Sequence, residues 1–209
     1  MHIFFKQNLA MLAVPKTGTT ALEAALRSKA DIVFRGRQKH MSAAGFDKNC
    51  APFLHKAYAL TPERLAVMRD PLDHLRSWYK YRTRAALRDS PKSTAGMSFE
   101  AFVQDALTDP RRPHVNVGTQ YKFLTLKDGR LPLHHLFAYE QMTVLLAFLE
   151  ARFGRPIVLK QANASPAINT ELSPETEARF RRARAEDYAL YSRIQDAGGH
   201  LHLEYSQKR

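Results

Sequence analysis

A single cysteine, Cys50, in 209 residues leaves no partner for an intramolecular disulfide and no thiolate set for a metal, so the chain reads as an intracellular, cytoplasmic protein. No apolar run approaches the roughly 20 residues that a bilayer span needs, so no transmembrane segment is expected. The opening stretch MHIFFKQNLAMLAVPK runs straight into a glycine loop and reads as structure, not as a leader. Low-complexity tracts and internal repeats are also missing. Acids are scarce: 20 Asp and Glu stand against 32 Lys and Arg, a formal charge of +12. Such an excess points to an anionic partner, such as a nucleotide, a polyanion, a nucleic acid or an acidic membrane. What is present suits one globular domain over 1–209, since 44% of the residues are hydrophobic and 25% charged.

The hydrophobic pattern alternates strand and helix. Leu9 to Val14 reads as a buried strand that Pro15 stops, and Ala21, Leu22, Ala25 and Leu26 then repeat at helical spacing. Asp31 to Phe34 and Arg64 to Met68 are further strand candidates. Asp70 is placed as an N-cap with Pro71 in the first turn, opening a helix through about Arg88. The stretch 89–97, rich in Ser, Pro and Gly, reads as a flexible loop. His135 to Tyr139 reads as a strand, Met142 to Phe153 as a helix closed by Gly154, and Ile157 to Leu159 as a short strand. A last helix starts at Ser173-Pro174, with Phe180, Ala183, Leu190, Tyr191 and Ile194 as its buried stripe, and 199–209 is a tail without a clear signal. These units predict an α/β fold with a central parallel sheet flanked by helices.

Two strings carry chemistry. In Val14-Pro-Lys-Thr-Gly-Thr-Thr20 a strand delivers one lysine, one glycine and three hydroxyls to a helix start. Unpaired amides and the helix dipole favour an anion there, and Gly18 lets backbone approach it. The magnesium-triphosphate loop GxxxxGK[ST] has its lysine after the last glycine. Here Lys16 precedes Gly18, which removes that reading's main support. In Val67-Met-Arg-Asp-Pro-Leu-Asp-His-Leu-Arg-Ser-Trp-Tyr79, Arg69 stands at a strand end and Ser77 two turns into the next helix. A guanidinium fork and a hydroxyl in one groove suit a second phosphate. An ordinary surface lysine and a surface ion-pair arginine are the plainer readings of either string alone.

Together, PKTGTT and RDPLDHLRSWY resemble the sulfotransferase family, and more its bacterial and carbohydrate-type members than the larger cytosolic enzymes. Tyr139-Glu140, Asn163-Ala-Ser-Pro166 and Asp187-Tyr-Ala-Leu-Tyr191 add family-like pieces. The resemblance implies a P-loop-like architecture and a 3′-phosphoadenosine 5′-phosphosulfate (PAPS) donor, with PAP as product. It places the 5′-phosphosulfate on Lys16, Thr17, Gly18, Thr19 and Thr20, and the 3′-phosphate on Arg69 and Ser77. The implied reaction is in-line transfer of a sulfuryl group to a hydroxyl or amine of a glycan or small metabolite, with Lys16 on the bridging oxygen and no metal required.

The resemblance also implies His40 as catalytic base, since carbohydrate-type relatives often carry a histidine after the second strand. An imidazole can accept a proton near neutrality, with His74, His114 and Glu140 as competitors. Arg76, Lys80, Arg84 and Arg88 recur every four residues and form a basic helical stripe, either merely solvated or, with Arg111 and Arg112, receiving an anionic glycan acceptor. Trp78, Tyr79 and Tyr81 read as core first and acceptor walls second. No nucleic-acid motif accompanies them, so no nucleic-acid partner is expected. Two other classes stay open: a nucleotide-dependent phosphotransferase, and a non-catalytic polyanion-binding module.

Overall fold

Asn8, in the left-handed region at φ 46°, turns the first hairpin, pairing β1 (His2–Phe4) antiparallel with β2 (Leu9–Met11). The computed structural model describes residues 1–159 and 168–205. From β2 the chain passes into α1 (Thr19–Leu26), β3 (Ile32–Val33), the single turn α2 (Ala43–Gly45) and α3 (Ala51–Tyr58). It re-enters the sheet as β4 (Glu63–Met68) and leaves through α4 (Pro71–Arg82), α5 (Phe99–Thr108) and α6 (Gln120–Leu124). Then follow β5 (His135–Ala138), α7 (Met142–Phe153), α8 (Pro174–Ala183), α9 (Ala185–Asp196) and β6 (His200–His202).

The result is an α/β protein with one open mixed sheet of six strands in the order β3-β1-β2-β4-β5-β6. The expected parallel sheet holds only at its centre, where β2, β4 and β5 run parallel; β1, β3 and β6 run antiparallel to their neighbours. β1 and β6 have no sequence signal, because β1 has three residues and β6 is His-Leu-His, too short and too polar for a buried-strand pattern, whereas the edge strand β3 falls within the expected Asp31 to Phe34.

Alternation along the central strands builds two cores. Ala10, Ala66, Met68, Leu136 and Ala138 face one side with Leu54 of α3 and Leu190 and Ile194 of α9. Leu9, Met11, Leu65, Val67 and Phe137 face the other with Leu22 and Leu26 of α1 and Leu145 and Leu149 of α7. Each fully buried leucine contributes about 2 kcal/mol by leaving water. A third cluster packs α4, α5 and α8 through Leu75, Tyr79, Phe102 and Phe180.

Several expected boundaries shift. The last helix breaks at Arg184 (φ −115°, ψ 28°), which sends Phe180 into the third cluster and Leu190 and Ile194 into the first. Ile157 to Leu159 forms no strand: Ile157 is buried against α1 and α7, its amide donates to Glu150 Oε1, and Val158 is 78% exposed. The helix opened by Asp70, whose carboxylate accepts from the amides of Leu72 and Asp73, ends at Arg82 instead of Arg88. That removes the continuous basic stripe, because Arg84 and Arg88 lie beyond the helix, while Arg76 pairs with Asp73 at 2.8 Å. Arg111 and Arg112 pair with Asp109 and Asp105. The stretch 89–97 forms turns anchored at buried Thr94, whose hydroxyl donates to the Tyr79 carbonyl. Asn163 to Pro166 lie outside the described residues.

Five histidines are packed so that the charged form is disfavoured: His2, His74, His134, His135 and His200 are each pulled by burial from 6.5 to about 4. His134 Nδ1 accepts the Arg64 amide at 3.0 Å, a bond that protonation removes, and His200 lies 4.0 Å from Phe137, ring on ring. The unfolded chain binds protons at these sites near pH 6.5, whereas the native protein resists until about pH 4. Their contribution is therefore present above pH 6.5 and is lost as pH falls toward 4. We expect a lower urea midpoint at pH 5.0 than at pH 7.5. His200→Phe, which keeps the stacked ring, should shallow that slope; a midpoint independent of pH would contradict the assignment.

Candidate active site: an anion cleft at the strand ends

All three parallel strands end at one place. The loop after β2 supplies Lys16 and Gly18 to Ala21, the residue after β4 supplies Arg69, and the residue after β5 supplies Tyr139. Beyond the carboxyl ends of parallel strands is where open α/β sheets bind ligands. The cleft there has a volume of about 640 Å³.

Its shape depends on how the β2 loop is held. Three successive carbonyls are tied by side chains: Ala13 accepts from His40 Nδ1 at 2.7 Å, Val14 from the Thr17 hydroxyl at 2.9 Å, and Pro15 from His74 Nε2 at 3.0 Å. A carbonyl can only accept, so each of these ring nitrogens carries the proton. With those carbonyls fixed, Lys16 takes a left-handed φ of 66°, a conformation that costs a non-glycine residue about 1–2 kcal/mol. Gly18 follows at φ 74° as the N-cap of α1. No side chain caps that helix, so its first amides face the cleft mouth unclaimed by a cap.

The lining is electrostatically one-sided. Among the described residues it holds Lys16, Lys39, Arg69, Arg82, Arg84 and Lys92 and no carboxylate. Burial pulls Lys16 from 10.5 to about 8, with Arg84 and then Arg69 adding repulsion. Its ammonium lies 4.4 Å from the centre of the Tyr81 ring. The Arg69 guanidinium lies 4.6 Å from that of Tyr139. Among the described residues the buried Nε1 of Trp78 finds no hydrogen-bond acceptor, and the buried Nε of Arg69 is ion-paired with Glu140 Oε1 at 3.9 Å, beyond hydrogen-bond reach. A buried donor without an acceptor costs free energy.

Most of the predicted site comes together here: Lys16, Gly18, Thr19, Thr20, His40, Arg69 and Ser77 all line the cleft. Thr17 does not, because its wholly buried side chain is spent on the Val14 carbonyl; its role is to hold the loop. Partial burial lowers the His40 pKa from 6.5, with the Ala13 bond opposing. Since Nδ1 donates to Ala13, Nε2 is the free basic nitrogen. The competitors sit elsewhere. His74 is committed to Pro15, His114 to Asp105 at 2.7 Å, and Glu140 accepts the Asp70 amide and the Tyr191 hydroxyl. Asp187 accepts the Tyr121 amide, so the family-like DYALY string braces the loops around the site instead of lining it.

Other lining residues have no signal in the sequence, notably Lys39 and Leu87, in short 3₁₀ helices, and Lys92 and Asn116, in turns and loops, all too short for a periodic pattern. Trp78 and Tyr81 form a wall, whereas Tyr79 is core, its hydroxyl donating to Met97 at 2.6 Å. The spacing Ser77, Trp78, Tyr81 on α4 is the signal that separates them. Among the described residues no three histidine, cysteine or carboxylate side chains group as a metal site. No helix among them is long and apolar enough to cross a membrane. No protein-family model matches this chain, and no curated protein sequence matches it.

The fold and site thus define an α/β protein with a cationic cleft at its strand ends. Gly18 is its tightest point, since an added Cβ would lie 2.9 Å from Tyr139 Cε2. Gly18→Ala should cost about 1–2 kcal/mol through the left-handed backbone alone, read by urea unfolding. A Tyr139→Ala background should recover only the steric remainder; full recovery would show that the backbone conformation carries no cost.

Proposed function

We propose that this chain is a PAPS-dependent sulfotransferase. The observation that carries the reading is the convergence of Lys16, Gly18 to Thr20, Arg69 and Ser77, from strings some fifty residues apart, on one cleft lined by cations. The α1 amides and Lys16 suit the 5′-phosphosulfate, while the Arg69 guanidinium and the Ser77 hydroxyl, both lining the cleft, suit the 3′-phosphate. In the transfer, the acceptor oxygen or nitrogen attacks sulfur and the bond to the bridging oxygen breaks. The electron pair stays on PAP, and the acceptor proton passes to His40 Nε2. Lys16 stabilises charge on the leaving oxygen. Orientation of donor and acceptor in one cleft supplies the remaining catalysis.

The phosphotransferase reading is disfavoured because magnesium-triphosphate sites use carboxylates, and none lines the cleft among the described residues. A purely polyanion-binding role would use the Nδ1 bond of His40, which holds the loop, but not its second ring nitrogen in the cleft lining.

Calorimetry with PAP and ATP, each with and without magnesium, tests the cofactor. PAP should bind tightly without the metal and should take up protons between about pH 8 and 9, because Lys16 at about 8 regains its charge beside the anion. Magnesium-dependent ATP binding without preference for PAP would transfer the assignment to a phosphotransferase. Mutants test the roles. Arg69→Ala should weaken PAP by about 2–4 kcal/mol and AMP, which lacks the 3′-phosphate, far less. His40→Asn, whose side-chain amide can keep the bond to the Ala13 carbonyl but has no basic nitrogen, should lower turnover by about 10²-fold or more while leaving PAP affinity near wild type. Equal losses for PAP and AMP, or an undiminished rate, would remove the respective role.

A further inference from the structure

The cleft holds more positive charge than the donor would use. Of its six cations, Lys16 and Arg69 are assigned to the donor. Lys39 is paired with Glu23 at 2.8 Å. Arg82 is buried and donates to the Pro113 and Asn116 carbonyls at 2.8 and 3.1 Å, which ties the end of α4 to the segment after α5. Arg84 and Lys92 remain, and among the described residues neither has an ion pair or a side-chain hydrogen bond.

Their placement is specific. Thr94, hydrogen-bonded to the Tyr79 carbonyl through its hydroxyl and to the Arg82 carbonyl through its amide, folds the 89–97 stretch back onto α4 and carries Lys92 to the cleft. The Arg84 guanidinium lies 4.9 Å from the centre of the Tyr81 ring, and the Lys16 ammonium 4.4 Å from the same centre. One aromatic ring thus positions both the lysine at the reacting end and the spare arginine. Arg84 is half-buried beside other cations, a costly place for an unpaired charge unless a ligand neutralises it. The indole of Trp78 lies in the same wall, beside Tyr81 with ring centres 5.9 Å apart.

We propose that Arg84 and Lys92, with Trp78 and Tyr81, form an acceptor subsite that selects a molecule carrying its own carboxylate, sulfate or phosphate group besides the hydroxyl or amine to be sulfated. This rests on the sulfotransferase reading. A neutral acceptor would leave half-buried Arg84 unpaired in a lining that, among the described residues, holds no carboxylate, while exposed Lys92 adds charge at the cleft's solvent side. An anionic one pairs with them and is drawn in by the single-signed field.

The test uses the full chain, PAPS and inorganic sulfate. PAPS binding is measured first, and its absence would fail the sulfotransferase reading itself and take the subsite with it. On protein saturated with PAPS, whose sulfuryl group fills its own position, sulfate should bind at one further site. Arg84→Gln with Lys92→Gln should weaken that sulfate about tenfold or more, and PAPS about threefold or less. If sulfate does not bind the PAPS complex, or if the double variant loses PAPS as strongly as sulfate, the subsite is overturned. A Lys29→Gln, Lys56→Gln control, which removes two charges outside the cleft lining, should leave both affinities near wild type and so separates a local loss from a change in net charge.

Discussion

Three hydrogen bonds to consecutive carbonyls, from His40 to Ala13, from Thr17 to Val14 and from His74 to Pro15, hold the loop from which the cleft is built. They come from three directions: the segment before α2, the loop itself, and α4. Each fixes a carbonyl that would otherwise be free to rotate, so Lys16 and Gly18 are held in left-handed conformations that expose the α1 amides. Every other site residue is placed relative to this loop. Tyr139 packs under Gly18, Arg69 lies over Tyr139, and Tyr81 lies under Lys16.

The same arrangement sets the electrostatics. Among the described residues the cleft lining holds cations and no carboxylate, and the acids that approach these cations are Glu23, paired with Lys39, and Glu140, 3.9 Å from Arg69 Nε. Glu140 accepts the Asp70 amide and the Tyr191 hydroxyl, and Asp70 caps α4. The cost is visible in Lys16, which burial and its neighbours Arg84 and Arg69 bring down to about 8. A site built this way gains most from a ligand that supplies negative charge, since the ligand relieves repulsion as well as forming contacts.

Much of the site was legible in the chain because its signals are local. A glycine at a helix start and Asp70-Pro71 opening a helix are statements about backbone chemistry over a few residues, and each appears at its expected place, whereas the strand expected to run to Val14 ends at Met11. Thr17 shows the limit. As one of three threonines in the string it cannot be told apart from Thr19 and Thr20, and only the direction of its hydroxyl, toward the Val14 carbonyl, assigns it to the scaffold. His40 and His74 are likewise two histidines among nine, and their tautomers follow from carbonyls 27 and 59 residues away.

The sequence by itself determined the alternation of strand and helix, the anion-seeking charge and the two strings that meet at the cleft, because these follow from residue type and short-range spacing. Tertiary structure alone decided the mixed sheet, since a three-residue β1 and the polar β6 become strands only when a neighbour accepts their backbone. It also decided the break at Arg184, which serves two separate cores. Above all it decided which of the described cations are spent and which are free. That depends on the carboxylate or carbonyl each one meets in space, so Arg82, Arg84 and Lys92, alike in the sequence as basic residues, emerge with different roles.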